Sequence, residues 1–139
     1  MFESAFERHM KDLARRADLK IATCTAKSAK LLFTVNGHNQ PLYVIPYDNV
    51  WEFSCPSMLV VDNPSEIPSA IMIYVLKENS KAKRGFWCVE EIQGKHVLEY
   101  MHNLPEAIIT PDEFYQTCWG IVKQVDALED VLRDISRKL

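Results

Sequence analysis

The segment AIMIYVLKENSKAKRGFWCVEEIQGKHVLEY, residues 70–100, decides how the chain folds. It opens on seven consecutive apolar residues, passes through a basic loop, and ends in two runs joined by Gln93-Gly94. On propensity alone IMIYVL would suit a buried strand. The flanking chemistry selects a helix. Ser65 is placed to act as N-cap, Glu66 falls in the first turn, and Pro68 sits where a helix does not need its N–H. Asn79 supplies a C-terminal cap, so a helix over about 66 to 77 or 78 is expected. A helix that is apolar on every side must be covered on every side. A sheet covers one face, and Met72, Tyr74 and Val75 are the residues expected to need other cover. A second copy of the helix would give a twofold interface. The first or last helix of the same chain is the alternative.

The second half of the segment reads as a β-hairpin. With Gln93-Gly94 as the turn, Ile92 faces Lys95, and the register pairs Glu91 with His96, Val89 with Leu98, and Trp87 with Tyr100. Val89, Leu98, Trp87 and Tyr100 then share one side of the sheet. Cys88, Glu90, Lys95 and Glu99 share the other.

Working outward, TPDE at 110–113 has the form of a capping box, with Pro111 at the first helical position and Glu113 reaching back. Phe114, Cys118, Ile121, Val125, Leu128, Leu132, Ile135 and Leu139 follow at spacings of three and four. They predict a helix of about 28 residues, roughly 42 Å long, packed on the core through its first half. A coiled-coil seam is the other reading of this stripe. At the N-terminus Phe2, Phe6, Met10, Leu13 and Ala17 mark one face of a helix over about 2–18, ended by Asp18. Between these helices, 30–35 alternates as a strand, and NGHNQP reads as a turn signalled by Asn-Gly. Residues 42–55 read as one or two strands, with Pro46 at an edge, bulge or break. Residues 21–25 offer a short first strand, and 55–68, with its prolines, reads as a connection. The expected class is α+β, an antiparallel sheet of about five strands flanked by helices in the order α-β-β-β-α-β-β-α, forming one domain over 1–139.

Composition sets limits on function. The chain has 139 residues, 47% apolar and 25% charged, with a formal net charge of −3. That balance does not fit a nucleic-acid binder, which needs a concentrated basic surface. No apolar run approaches the ~20 residues that span a bilayer, and the N-terminus lacks the apolar core of a secretory signal. Cys24, Cys55, Cys88 and Cys118 form no CxxC pair, so they are expected to be reduced and buried in a cytoplasmic protein. His9, His38, His96 and His102 lack metal-ligand spacing. Glu90 and Glu91 alternate across a strand, and Cys88 and His96 fall on opposite faces, so neither pair can work on one substrate. No glycine-rich phosphate loop is present. The basic loop at 77–84 reads as a solvated surface. No catalytic, cofactor-binding or metal-binding residue is assigned.

The NPSEIPSAIMIYVLKEN helix, the GFWCVEEIQGKHVLEY hairpin and the closing ITPDEFYQTCWGIVKQVDALEDVL helix together resemble the type III secretion chaperone-like fold. Within it they resemble the YbjN-like group of bacterial proteins. The resemblance implies an antiparallel sheet flanked by helices, often in a homodimer, whose apolar surface holds a segment of another protein. It carries over no catalytic residue. The expected function is therefore a non-enzymatic protein- or peptide-binding module with no nucleic-acid or membrane partner. Trp51 and Phe53 are candidates to line the binding surface, with membership of the core as the other reading. The alternative function is a small-molecule-binding or catalytic α+β domain with a pocket between the sheet and the long C-terminal helix.

Overall fold

A computed structural model of the chain describes residues 2–137. Helix α1 (Ala5–Ala17) is followed by four strands, β1 (Ile21–Cys24), β2 (Ala29–Val35), β3 (His38–Tyr47) and β4 (Val50–Val61). Then come α2 (Ser69–Lys81), the hairpin β5 (Phe86–Ile92) and β6 (Lys95–Pro105), and α3 (Pro111–Arg137). The strands form one antiparallel sheet in the order β1-β2-β3-β4-β6-β5. Six strands replace the expected five because residues 38–61 hold two long strands, separated only by Asp48-Asn49.

The local reasons are legible. Asn36 and Gly37 both have positive φ, at 50° and 80°, as a two-residue hairpin turn requires. The turn ends there, and HNQP belongs to β3 rather than to the loop. Two prolines fit inside β3 because of where the neighbouring strands stop. In a hairpin closed by a two-residue turn, alternate residues direct their N–H away from the partner strand. Pro41 and Pro46 hold such positions, Pro41 ahead of the first residue paired with β4 and Pro46 beyond the last paired with β2. Neither removes a ladder bond.

The segment 55–61, expected as a connection, continues β4 through a bulge between Pro56 and Val60, where β4 carries two residues more than β6. Ser57 stitches the irregularity. Its hydroxyl donates to the Leu98 carbonyl at 2.6 Å and accepts from the Leu59 N–H at 3.1 Å.

The helix ends differ from expectation in detail. Ser4 and Glu7 form a reciprocal capping box that starts α1, which leaves Phe2 outside the helix and fully exposed instead of on its apolar face. Asn63 and Glu66 cap a short 3₁₀ turn at Pro64–Glu66, so Ser65 does not cap α2, which begins only after Pro68. Residues 71–76 are helical as expected, but α2 runs on to Lys81, and Asn79 is inside it. Thr110 accepts from the Glu113 N–H at 3.0 Å, yet the Glu113 carboxylate turns to Arg84 with two contacts of 3.1 Å, so only half of that capping box forms.

All three helices contribute to one core on one face of the sheet. Phe6 of α1 meets Trp51 edge-on at 5.0 Å between ring centres, and Phe114 of α3 lies 5.9 Å from Phe53. Residues of α3 from Phe114 to Leu128 fill the same layer, whereas Ile135 is exposed and Leu139 lies outside the described residues. The stripe thus packs through its first half as expected.

Gly85, between α2 and β5, has φ +80°, and a Cβ there would sit 2.4 Å from the Tyr100 ring and 2.7 Å from the Met101 carbonyl. Gly94 shares that conformation at φ +79° but faces open space. Gly85→Ala should cost about 3 kcal/mol, strain plus overpacking, and Gly94→Ala only about 1 kcal/mol. Urea unfolding of the two variants, compared with the parent chain, checks the difference.

Candidate functional site

The residues singled out from sequence divide sharply. Trp51 (1% exposed), Phe53 (0%) and Val75 (3%) belong to the chain's own core, so they do not line an open surface. Their burial has a simple cause: on β4 odd-numbered residues point toward α1 and α3, and on α2 Val75 shares with Ile71 the side turned to the sheet. Met72 and Tyr74 are half-buried at the margin of that core. The large apolar residues of α2 left uncovered are two that sequence reasoning did not name, Ile73 (54% exposed) and Leu76 (62%).

Helix α2 packs along β5, one of the two edge strands of the sheet. Asn79 makes the junction. Its side-chain carbonyl accepts from the Trp87 N–H at 2.6 Å, and its amide donates to the Trp87 carbonyl at 3.2 Å, so one side chain occupies that rung of the edge as a neighbouring strand would. The hairpin register predicted from Gln93-Gly94 is the one present, Ile92 with Lys95 through Phe86 with Met101. By the same alternation that frees Trp87, Val89 and Glu91 direct their backbone N–H and C=O groups outward along the edge. Val89 and Ile92 are exposed beside them.

Two places hold buried carboxylates. The first lies where α3 crosses the β2–β3 hairpin. Asp126 accepts from Asn36 at 3.0 Å and lies 3.1 Å from His38 Nδ1, while Glu129 accepts from Gln40 at 2.6 Å and from the Met58 N–H in the β4 bulge at 2.9 Å. Burial opposes the charge on Asp126, but the hydrogen bonds from Asn36, His38 and Gln40 outweigh it and hold that carboxyl below its ordinary range. His38, Asp126 and Asp130 bring three potential ligand atoms within 4.8 Å of one another, a grouping that no spacing in the sequence announces. Arg133 lies beside the group, 2.8 Å from Asp130 and 3.3 Å from His38, and supplies a cation from the chain itself.

The second lies on the opposite, helix-free face of the sheet. Cys88 of β5, Glu99 of β6 and Pro56 of β4 stand side by side in one row, with Glu90, Val97 and Val60 in the next. Glu52 projects from β4 on the same face. Glu99 is only 2% exposed, and its carboxyl meets the weakly donating Cys88 thiol, at 4.0 Å, and the Glu90 carboxyl, with which it shares a hydrogen bond. Burial first, and the neighbouring Glu90 second, push its pKa up to about 8. Burial with Glu90 also raises Glu52, and burial pushes Cys88 up to about 12.

Among the described residues, side chains of the sheet and of α3 form one packed core. A hollow of about 390 Å³ opens at the surface beside α3, lined by Lys81, Arg84, Tyr100, Tyr115, Trp119 and Lys123 among others. The four cysteines are free, with Cys55 and Cys118 buried and Cys24 and Cys88 half-buried. No helix among the described residues is long and apolar enough to cross a membrane.

With this geometry in view, comparison with known proteins is informative about architecture. No protein-family model and no curated protein sequence matches the chain. Among solved structures, a chain of the HopA1–SchA chaperone–effector complex superposes with a TM-score of 0.62 at 8% identity, covering 90% of this chain and 93% of that one. YbjN from E. coli, to which a transcription-regulating role is provisionally ascribed, gives a TM-score of 0.62 at 13% identity and covers 95% and 93%. The fold is the type III secretion chaperone-like fold. At these identities the likeness speaks for the fold alone, and it agrees with the α+β arrangement expected from sequence.

The raised Glu99 pKa fixes a pH dependence. An unfolded glutamate titrates near 4.3, so between about pH 4.3 and 8 the folded chain holds a proton that the unfolded chain has lost. Stability therefore falls as pH rises through that window. Glu99→Gln should flatten the decline and leave the variant more stable than the parent at pH 8, as read from urea midpoints measured at pH 5 and pH 8.

Proposed function

We propose that this chain is a non-enzymatic binding module that acts as a homodimer in the cytoplasm and holds a segment of another protein. The observation that carries the reading is the uncovered apolar stripe of α2, Ile73 and Leu76, set beside an edge strand whose outward backbone groups at Val89 and Glu91 have no strand neighbour among the described residues. A stripe of this kind favours a self-complementary contact between two copies, with Met72 and Tyr74 at its margins. An unpaired edge favours the addition of an extended segment as a further strand. The fold likeness to a chaperone from a chaperone–effector complex supports a protein partner over a small ligand. The filled interior weighs the same way.

Light scattering on the chain at micromolar concentration should return twice the mass of one 139-residue chain. Ile73→Asp combined with Leu76→Asp should return one chain mass with the circular-dichroism spectrum unchanged. A parent chain that is already monomeric would remove the dimer from this reading.

A further inference from the structure

The hollow beside α3 joins a one-signed charge pattern to a glycine that the fold does not call for. Helix α3 borders it with two adjacent rows of residues, Tyr115, Trp119 and Lys123 in one and Gln116, Gly120 and Gln124 in the other. Residues 81–84, at the end of α2 and the turn into β5, supply a further part of the border. They belong to the basic loop that the sequence presents as a solvated surface.

Gly120 interrupts the second row inside a helix of 27 residues. Apart from proline, glycine is the weakest helix former. The φ of Gly120 is not positive, and a Cβ added there would meet nothing within 4 Å. Neither backbone conformation nor close packing therefore asks for a glycine, whereas each of the other three has a positive φ. What the missing side chain does is leave the backbone bare at the hollow, where a ligand can come close.

Four cations border the hollow, Lys81, Lys83, Arg84 and Lys123, and no acidic residue does. This is a local reversal in a chain whose net charge is −3. Two of the four are answered within the chain, Arg84 by Glu113 at 3.1 Å and Lys81 by Glu78 at 3.6 Å. Lys83 and Lys123 enter no ion pair among the described residues. The Lys123 ammonium stands 5.9 Å from the centre of the Trp119 ring, a contact that attracts it without neutralising it.

We infer that this hollow receives an acidic segment of a partner protein, one side chain of which sits over the bare backbone of Gly120 while its carboxylates reach Lys83 and Lys123. The inference names the chemistry of the partner in the binding-module reading above, and rests on that reading. Carboxylates supply the counter-charge that the chain withholds from these two lysines, and a basic segment would meet four like charges, so the hollow discriminates by sign. A nucleic acid fits less well, because its evenly charged backbone calls for an extended basic surface rather than one hollow on an acidic chain.

Two measurements on the full chain test this. In the first, ¹⁵N-labelled protein is titrated with the blocked peptide acetyl-Glu-Asp-Phe-Asp-Glu-amide. The controls are its neutral counterpart acetyl-Gln-Asn-Phe-Asn-Gln-amide and a short oligothymidylate. The acidic peptide alone should shift the amide resonances of Lys83 and Gly120, with an affinity that falls as salt is raised. Gly120→Gln repeats the residue on either side of it in the row and adds no charge. It should raise the urea midpoint, because glutamine is the better helix former, and weaken the peptide at least about tenfold by filling its place. Lys83→Gln combined with Lys123→Gln should weaken it about tenfold. Lys20→Gln with Lys27→Gln, the same charge change near the other edge of the sheet, should alter it by no more than about twofold. The inference is overturned by no shift at the hollow, by equal binding of the neutral peptide or the oligothymidylate, or by an affinity that ignores Gly120→Gln or the loss of Lys83 and Lys123. A lowered urea midpoint in Gly120→Gln overturns it too, since the glycine would then serve the fold. In the second, peptides selected from a random library on the parent chain are measured again on Gly120→Gln. Binders rich in aspartate and glutamate that weaken at least about tenfold support the inference. Binders that ignore the substitution overturn it while the binding-module reading stands, and a library that yields no binder of any kind counts against both.

Discussion

The pairing of β4 with β6 joins two pieces of chain that would otherwise fold apart. Strands β1 to β4 form a meander held by short turns, and β5 with β6 is a hairpin held by its own. Their union depends on nine aligned residue pairs from Val50 with Pro105 to Val61 with His96. Because β6 docks on β4 with β5 outermost, the crossover through α2 must pass along the outer strand, and Asn79 fastens the helix there. The position of the uncovered stripe on α2, the choice of edge strand and the alignment of Glu52, Cys88 and Glu99 across three strands all follow from that one docking.

Features set by near neighbours in sequence were legible. Asn36-Gly37 and Gln93-Gly94 announce hairpins because positive φ is needed at two successive residues, and the β5–β6 register follows from the second turn alone. The long stripe of α3 is legible for a related reason, since helical periodicity is a local property. What escaped the reading depends on partners far along the chain. Pro56 looked like the end of a strand, yet β4 continues past it because the bulge is satisfied by Ser57 and by Glu129, which lies 71 residues away from Met58. Asn79 looked like a cap because its use as a rung of β5 requires knowing that α2 lies beside that strand.

The candidate surface failed in part for the same reason. An apolar hexapeptide tells how much must be covered, not which side the sheet takes. The phase of α2 gives Ile71 and Val75 to the core and leaves Ile73 and Leu76 outside. Trp51 and Phe53 were chosen as large apolar residues, and size is what draws a side chain into a core when its strand position permits. The odd-numbered side of β4 faces the helices, so they are among the largest fully buried side chains in the molecule.

The two buried carboxylate groups can then be set against each other. Around Asp126 and Glu129 the chain provides its own answer to every charge: amides from Asn36 and Gln40, an imidazole, a backbone N–H and a nearby guanidinium. Such a network ties α3 to the hairpin and closes the bulge, and it leaves nothing for a ligand to supply. Around Glu99 the surroundings are two further carboxylates, a thiol and apolar side chains. If that acid served only stability, a glutamine or an aliphatic residue would serve better, since neither takes up a charge above pH 8. Below about pH 8 the answer to that charge is a proton, held on a buried Glu99 carboxyl that hydrogen-bonds to Glu90, so one carboxylate group is met by donors and the other by neutralisation.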